Sequence, residues 1–473
     1  MNKRFNFASV TAISLVTLAL SSFTTTVFAK SANFTEQQIK QVEHIKEEAL
    51  KSDLAWDIVE SLTTEVGPRM PGTPGDEAGV AWAVAKFNAM GFDKVWTEPA
   101  TFPKWIRYSE SASVVSPSPQ KLHITALGGS ISTPKDGVEA EVIEFETLAD
   151  LENAPEDAAK GKIVFINYRM DRHRDGNGYG PAVKARSGGA VAAAKKGAVG
   201  YVMRSVSTAH HRFAHTGGSH YKEGVTKIVS SAISNADADQ LQRLIALGKP
   251  VTININVQAK SMGEGTSYNV IGEITGQEFP EEYVLIGGHL DSWDLGTGAL
   301  DDGAGVAITM AAAKFATAQE KPKRSVRVVL FAAEEFGLWG AKAYAKAHES
   351  ELSNIVAAAE SDFGADKIWG IESNVDDNSL PVIKEIAQML ESLNVEYIET
   401  NAAGGGPDLV PLRPFKVPSF RLAQDGTDYF NYHHTADDTL DKIDPVKLRQ
   451  NAAVYAVFTY MAANSKTKIS GKK

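Results

Sequence analysis

The strongest constraint in this sequence is the alternation of strand-like and helix-like runs between residues 281 and 362. The strand-like runs are "EEYVLIGGHL", "RSVRVVLFAAEE" and "NIVAAAESD", and the helix-like runs between them are "GAGVAITMAAAKFATAQ" and "GLWGAKAYAKAHE". Long helices between apolar, β-branched strands require crossover connections, which make the strands parallel and cover both faces of the sheet. The pattern predicts an α/β fold with a mostly parallel or mixed sheet sandwiched by helices.

The middle third of the chain has a strand and helix rhythm of its own. Its strand candidates are "EAEVIEF", "GKIVFINY", "GAVGYVMRS" and "TININV", and "GPAVKARSGGAVAAAKKG" is a small-residue helix among them. A chain of 473 residues also exceeds one typical domain. We therefore expect residues 125–260 to be an inserted α/β domain, while residues 30–124 and 261–473 form the main domain.

Residues 1–29 have the features of a secretory signal peptide. Lys3 and Arg4 precede an apolar run, and Val27 and Ala29 occupy the −3 and −1 positions of a cleavage site. A permanent membrane anchor is the weaker interpretation, because Ser and Thr interrupt the run after Leu20. We expect a protein that is secreted or periplasmic after removal of the leader, with no stable membrane anchor.

Charge and cysteine content narrow the classes of partner. The net charge is −10, and it becomes −12 when the two positive charges of the leader are removed. An acidic protein of this kind is not expected to bind nucleic acid or anionic lipid. Because the chain has no cysteine, disulfides and thiolate sites are excluded, and any metal must be held by His, Asp or Glu.

Ionisable side chains follow three successive strands of the predicted sheet. They are His289 and Asp291, Glu334 and Glu335, and Asp362. Each residue alone has an ordinary structural explanation, such as an Asx turn or a helix cap. Together they reach the edge of the sheet where α/β proteins bind ligands, and they would repel one another without a cation. The set predicts a metal site, and two zinc ions suit it better than one.

Five motifs resemble the co-catalytic zinc peptidases of family M28, most of all its plasma glutamate carboxypeptidase (carboxypeptidase Q) group. In chain order they are "GGHLDSW", "GALDDGAGVA", "FAAEEFGLWGA", "ESDFG" and "YHHTADDTLDKI". The resemblance covers nearly all of the chain after the leader. It implies a zinc exopeptidase fold, in which residues 30–124 and 261–473 are the peptidase domain and residues 125–260 resemble a protease-associated domain.

The resemblance also implies a role for each matching residue. Five residues would bind two Zn²⁺ ions per chain: His289 and Asp362 at one ion, Glu335 and His434 at the other, and Asp301 between them. Asp291 would hold the imidazole of His289. Glu334 would be the general base, and the peptide bond between Asp301 and Asp302 would be cis.

Three further features leave alternatives open. Several relatives have a tyrosine before the last histidine ligand, whereas this chain has His433, which either donates a hydrogen bond to the oxyanion or only packs. Asp408 in "AGGGPDLVPL" either touches substrate or belongs to a plain turn. The histidine-rich segment "TAHHRFAHTGGSHY" is interpreted as a loop near the mouth of the active site rather than as a third metal site. The tail "SKTKISGKK" is expected to be disordered.

The expected function is that of an exported dinuclear zinc exopeptidase. Its substrates would be dipeptides or short peptides with a free N-terminus, so aminopeptidase, carboxypeptidase and dipeptidase activities are all compatible with it. A non-catalytic peptide-binding or receptor protein on the same fold is the main alternative, and an aminoacyl cyclase that uses one metal is another. The complete ligand set disfavours both alternatives. A homodimer is suggested by the resemblance alone.

Overall fold

The computed structural model describes residues 31–472, so the expected signal peptide lies outside the described residues. Within this range the strands join in one 14-stranded mixed sheet. In chain order the strands are β1 (Lys94–Ser116), β2 (Gln120–Leu122), β3 (Ile124–Ala126), β4 (Val138–Phe145), β5 (Ile163–Ile166), β6 (Gly200–Arg204), β7 (Val229–Ile233), β8 (Thr252–Ile274), β9 (Phe279–His289), β10 (Arg324–Phe331), β11 (Ile355–Glu360), β12 (Ile368–Asn374), β13 (Glu396–Ile398) and β14 (Ser419–Gln424).

The strand order confirms the predicted mixed α/β architecture. Across the sheet the order is β13-β12-β14-β11-β9-β10-β8-β4-β5-β6-β7-β3, with β1 paired to β8 and β2 paired to β1. Strand β9 is parallel to both β10 and β11, and β11 is parallel to β14. Strands β8 and β10, like β12 and β14, are antiparallel. The parallel strands at the centre therefore end at one common edge.

Ten α-helices lie among the described residues. They are α1 (Glu36–Lys51), α2 (Leu54–Ser61), α3 (Pro74–Ala89), α4 (Leu148–Asn153), α5 (Tyr179–Lys195), α6 (Asn235–Ala246), α7 (Ala304–Thr317), α8 (Trp339–Ala347), α9 (Leu380–Leu390) and α10 (Pro445–Asn464). Helix α1 starts at a capping box on Thr35, and Ser52 and Asp53 separate it from α2. The helical turn that follows α2 ends before Gly67, whose φ is +78°.

Helix α7 and helix α10 form the centre of the main core. They pack against each other, and α7 also contacts α2 and β9. Both helices are buried on almost every face. An all-round apolar helix is the kind that fills the interior of a large domain. The alanine-rich sequence of α7 allows its neighbours to approach closely, which anchors the loop that precedes it.

Strand β8 connects the middle segment of the chain to the central sheet. Its first residues, from Thr252 to Ile255, pair with β4, and its last residues, from Val270 to Ile274, pair with β10. The expected domain boundary at residue 260 therefore lies inside one continuous strand. An apolar cluster that includes Phe165, Val202 and Leu241 packs beneath β4 to β7. The division into a main and an inserted domain stays a prediction.

Residues 465–472 are ordered, so the prediction of a disordered tail was wrong for the described part of that segment. Ile469 is buried in the main core, and the main-chain N–H of Ser470 donates to the hydroxyl of Ser379 at 3.0 Å. One apolar side chain anchors a segment whose composition is otherwise polar and basic. From Asn33 onward the chain forms one compact unit. Within the described residues, no helix combines the length and apolar character needed to cross a bilayer.

Candidate active site

The carboxyl ends of β9, β10 and β11 bring together the residues that the sequence singled out. In the parallel register Phe331 pairs with His289, and Glu360 pairs with Gly287. Glu334 and Glu335 follow β10, and Asp362 follows β11, so their side chains reach the same edge as His289. His434 reaches this edge from the loop after β14.

Asp301 lies between the two predicted histidine ligands. Its Oδ1 is 3.1 Å from Nε2 of His289, and its Oδ2 is 3.1 Å from Nε2 of His434. Nε2 of His289 is also 3.6 Å from Oδ1 of Asp362, and Nε2 of His434 is 3.0 Å from Oε2 of Glu335. All five predicted ligands therefore converge, and all are buried or nearly so.

This cluster has the chemistry of a metal centre. Three overlapping groups of ligand atoms have the spacing that a metal ion can bridge. They are Asp301 with His433 and His434, His289 with Asp301 and Glu335, and His289 with Asp302 and Asp362. The buried Oε1 of Glu335 has no hydrogen-bond partner. Several buried carboxylates that face one another are strongly unfavourable unless a cation compensates them. Imidazole and carboxylate donors together fit a divalent metal.

Electrostatics in the cluster follow from burial and proximity. Burial opposes the charged form of Asp301, but the imidazoles of His289 and His434 outweigh it and hold the pKa of Asp301 well below its ordinary value. Burial raises the pKa of Glu334 well above its ordinary value, and the neighbouring Glu335 and Asp408 raise it further. The carboxylates thus differ in character, because Asp301 is held charged while Glu334 readily takes a proton.

Asp291 connects two strand ends in a way that differs from the expected contact. Nδ1 of His289 is 2.9 Å from the main-chain oxygen of Asp291, whereas the Asp291 carboxylate is 3.9 Å away. The carboxylate instead accepts the main-chain N–H groups of Glu334 and Glu335, at 3.0 and 3.2 Å. The tautomer of His289 is therefore set by a carbonyl, and the Asp291 side chain positions the Glu334–Glu335 turn.

The loop that carries Asp301 is held by contacts on both of its sides. The peptide bond between Asp301 and Asp302 is cis, as expected from the resemblance. The Asp302 carboxylate accepts the N–H groups of His289 and Gly305, each at 3.1 Å. A Cβ atom on Gly288 would lie 2.2 Å from Oδ2 of Asp302, so glycine is needed for this approach.

Two residues that sequence reasoning missed also hold this loop. Oδ1 and Oδ2 of Asp438 accept the N–H groups of Leu300 and Asp301, at 2.6 and 3.3 Å. The buried Arg69 donates to the carbonyls of Leu290 and Gly298, at 2.7 and 2.9 Å. Asp438 occurs in "YHHTADDTLDKI", one of the five motifs that resemble family M28, and that motif is the signal that could have identified it.

The middle segment of the chain contributes to the position of His434. Nδ1 of His434 is 3.0 Å from the main-chain oxygen of Thr216, and the Thr216 N–H donates to the oxygen of His434 at 3.0 Å. His434 itself has a φ of +62°. The ring of His433 stacks on that of His434, 3.5 Å away, and its Nε2 is 3.6 Å from Oδ2 of Asp301. The structure thus places His434 closer than His433 to Asp301.

The remaining acids and histidines have other surroundings. Asp294, in the loop after His289, forms an ion pair with Arg107. Asp408 is fully buried and is not among the residues that line the cavity described below. Its main-chain N–H donates to Oε2 of Glu360 at 2.8 Å, while its own carboxylate oxygens have no hydrogen-bond partner. The two alternatives for Asp408, contact with substrate or a place in a plain turn, stay predictions. Of the histidine-rich loop, His220 lines the cavity. Within residues 31–472 that loop forms no metal-binding group.

A cavity of about 520 Å³ opens onto the cluster. Its wall includes Glu334, Asp362 and His434, and the middle segment supplies Tyr179 and Arg186. This volume is in the usual range for a small-molecule site. A cavity beside a buried imidazole and carboxylate cluster, at the edge of an open α/β sheet, is typical of a metal-dependent hydrolase.

Comparison with known proteins gives the family. The model of Peptidase family M28 matches residues 269–459. Carboxypeptidase Q of Xenopus laevis is 36% identical over 400 residues, which cover 84% of this chain and 83% of that protein. Carboxypeptidase Q of Homo sapiens is 35% identical over 404 residues, which cover 85% of this chain and 84% of that protein. The chain belongs to peptidase family M28, which confirms the expected metallo-exopeptidase.

Solved structures agree with this assignment. The crystal structure of the Peptidase M28 precursor from Shewanella amazonensis SB2B is 51% identical, with a TM-score of 0.90 over 92% of this chain and 99% of that chain. The aminopeptidase from Aneurinibacillus sp. strain AM-1 is 21% identical, with a TM-score of 0.62 over 92% of this chain and 98% of that chain, and it shows that the fold is shared.

Proposed function

We propose that this protein is an exported zinc exopeptidase that hydrolyses dipeptides or short peptides with a free N-terminus. The observation that carries the proposal is the position of Asp301, whose two carboxylate oxygens each lie 3.1 Å from a different imidazole, those of His289 and His434. A carboxylate between two imidazoles is suited to bridging a pair of ions. A distant structural neighbour, 20% identical, is a zinc aminopeptidase from Bacillus subtilis.

Each metal ligand has a proposed place. His289 and Asp362 would hold one zinc ion, Glu335 and His434 the other, and Asp301 both. What zinc supplies when bound is polarisation of the scissile carbonyl and a water of lowered pKa. The carbonyls of Asp291 and Thr216 orient the two imidazoles through Nδ1, so that Nε2 of each ring faces Asp301.

Glu334 is the proposed general base. It lines the cavity next to the ligand Glu335, and its raised pKa suits a group that takes and returns a proton. One of its carboxylate oxygens would accept a proton from the attacking water and then deliver it to the leaving amine nitrogen. His433, stacked on His434, is the proposed donor to the oxyanion.

Hydrolysis of dipeptides by the purified protein tests the function. Activity should disappear with a chelator and return with zinc, and elemental analysis should give two zinc ions per chain. Glu334→Gln should lower kcat by 10²-fold or more, on the order of a general base's contribution, while it keeps its zinc. A non-catalytic receptor would bind peptide without hydrolysis, and inactive wild-type protein that carries two zinc ions would contradict our proposal.

Export, domain division and assembly belong to the same proposal. Residues 1–29 would be removed as a signal peptide, and residues 125–260 would be a protease-associated-like domain that covers the cleft. The supporting contact is that of Thr216 with His434. Mass spectrometry of the exported protein should find Ser31 or Lys30 near its new N-terminus, and light scattering would distinguish a homodimer from a monomer.

A further inference from the structure

Arg186 is a buried cation without an anionic partner. It lies on α5, is 9% exposed and lines the cavity together with Glu334 and His434. Its Nη2 donates to the hydroxyl of Tyr179 at 2.6 Å, and its buried Nε has no partner. Among residues 31–472 no carboxylate forms an ion pair with it. A guanidinium has five N–H donors, and burial of such a charge without a partner is costly.

His434 does not satisfy this guanidinium either. Nη1 of Arg186 is 3.3 Å from Nδ1 of His434. That nitrogen is 3.0 Å from the carbonyl oxygen of Thr216 and donates its proton there, so it has no lone pair to offer Arg186. The Tyr179 hydroxyl is therefore the one acceptor that the guanidinium has within the described part of the chain.

The surroundings hold the guanidinium in a fixed orientation. The ring of Tyr179 stacks on that of Phe430, with centroids 5.0 Å apart and an interplanar angle of 18°. A Cβ atom on Gly217 would lie 2.5 Å from the guanidinium carbon of Arg186, so the group rests against a glycine main chain. A charge that is already oriented loses little entropy when it binds an anion.

We propose that Arg186 binds the C-terminal carboxylate of a dipeptide substrate, an inference that rests on the proposed function. In a dipeptide three bonds separate the scissile carbonyl carbon from the carboxylate carbon, a distance of at most about 4 Å. That carboxylate must consequently lie beside the metal ligands. Arg186 is in contact with the proposed ligand His434 at this position. A guanidinium is the side chain that best matches a carboxylate.

This assignment explains how one cavity prefers dipeptides. The cavity wall carries Glu334, Glu335, Glu360 and Asp362, which repel a substrate carboxylate. A cation at Arg186 offsets that repulsion only where a dipeptide places its terminal carboxylate. A longer peptide has a neutral amide there and gains no charged contact. Preference for a free carboxylate one residue after the scissile bond is thus the expected signature.

The test compares a dipeptide with its C-terminal amide in wild type and Arg186→Gln. A charged hydrogen bond of this kind corresponds to a factor of roughly 10 to 100 in kcat/KM. Wild type should prefer the free acid by about this factor, and Arg186→Gln should lose the preference mainly through KM on the acid. Arg186→Lys, which retains the charge but not the planar fork, should fall between them.

The ratio of kcat/KM for the dipeptide to kcat/KM for its amide distinguishes loss of carboxylate recognition from general damage to the site. If replacement of Arg186 merely disturbs His434 and its zinc, both substrates lose activity equally, the ratio persists, and the inference is wrong. Arg421→Gln is the matched control, because Arg421 lines the same cavity but its Nε is 3.2 Å from the Glu372 carboxylate. Loss of the preference in that variant instead would assign the carboxylate to Arg421.

Failure of the proposed function has a different signature. If wild type hydrolyses neither substrate, the proposed activity is wrong, and binding then decides the inference. Calorimetric titration with the dipeptide and its amide should give a weaker Kd for the amide in wild type but equal values in Arg186→Gln. Equal values in wild type would overturn the role of Arg186.

Discussion

At the scale of single residues, this site depends on groups that never reach the substrate. Asp291 uses its carbonyl to orient His289 and its carboxylate to hold the turn of Glu334 and Glu335. One residue therefore fixes one side of the metal cluster relative to the proposed base. Loss of such an outer contact typically lowers metal affinity or activity by about 10- to 100-fold.

Asp291→Asn should lower zinc affinity or kcat/KM by about 10- to 100-fold without unfolding the protein. An amide has one acceptor oxygen where the carboxylate has two, so one of the two N–H groups of Glu334 and Glu335 would face an N–H₂ donor. Competition with a chromophoric chelator measures the affinity. Asp441→Asn, at a highly exposed acid, is the control. Unchanged kinetics and affinity in Asp291→Asn would contradict this role.

His348 and Glu98 form an ion pair whose strength depends on pH, with 2.8 Å between Nε2 of His348 and Oε1 of Glu98. Burial alone would lower the pKa of His348, but the Glu98 carboxylate outweighs burial and raises that pKa above its ordinary value. Burial alone would raise the pKa of Glu98, but hydrogen bonds from His348 and Trp96 outweigh burial and lower that pKa below its ordinary value. The pair therefore stabilises fully between about pH 4.5 and 6.5, the ordinary values of the two groups. This contribution is lost as pH rises through the folded pKa of His348 or falls through that of Glu98.

The thermal stability of wild type and His348→Gln should consequently differ most between those two pH values, by up to about 1 kcal/mol. The difference should shrink at higher pH, where His348 is neutral in wild type as well. Thermal unfolding at a series of pH values measures it. A stability difference between the two proteins that grows as pH rises would contradict the expected direction of this effect.

At the scale of elements, the decisive contact is that of the α7 N-terminus with the end of β11. A Cβ atom on Gly305 would lie 1.8 Å from the main-chain oxygen of Ser361, next to the ligand Asp362. The N–H of Gly305 also binds the Asp302 carboxylate. Glycine at this position lets a buried helix start directly beside a strand end, which brings two ligand-bearing segments together.

Gly305→Ala should destabilise the protein by about 1 to 3 kcal/mol and weaken zinc binding, because the methyl group forces α7 away from β11. Gly180→Ala in α5 is the matched control, since a Cβ atom there meets no other atom within 4 Å. That change should be neutral or slightly stabilising. Denaturant unfolding and zinc titration measure both variants. Equal behaviour of the two variants would rule out the proposed contact.

At the scale of the whole molecule, the site joins segments that are far apart in the chain. Residues from β9 to β11, the loop after β14 and the middle segment at Thr216 all meet at one cluster. The cluster is buried and rich in carboxylates. Its electrostatic repulsion opposes folding unless cations are bound. The stability of the whole chain should therefore depend on metal.

Removal of zinc should lower the unfolding temperature of the wild type. Zinc at a thousandfold excess over its Kd contributes about 4 kcal/mol to folding, since it binds only the assembled site. Calorimetry before and after chelation, and after zinc is added back, measures the effect. Asp301→Asn, which lacks the charged bridge, should show a much smaller shift. An unfolding temperature of wild type that is indifferent to chelation would argue against a metal centre.

Much of the central fold was predictable from local sequence. The strands β9 to β11 and the helices α7 and α8 followed from local sequence, because short apolar, β-branched runs that alternate with longer helix-like runs are typical of a buried parallel sheet with crossover helices. Helix α10 and strands β12 to β14 were not predicted. Helix α10 is buried on almost every face and mixes polar residues such as Gln450, Asn451 and Thr459 with apolar ones, so its sequence has no amphipathic period to detect. Buried Ile469 was missed because a single apolar residue has no period either.

For the site, local sequence determined which residues carry ligand chemistry, and tertiary structure decided what each of them contacts. His289, Glu335 and Asp362 could be selected because strand ends in an α/β sheet share one edge. The contacts of Thr216 and Arg186 with His434 could not, because they cross about 220 to 250 positions of the chain. Such contacts depend on how separate segments pack, and no local pattern of residues encodes that arrangement.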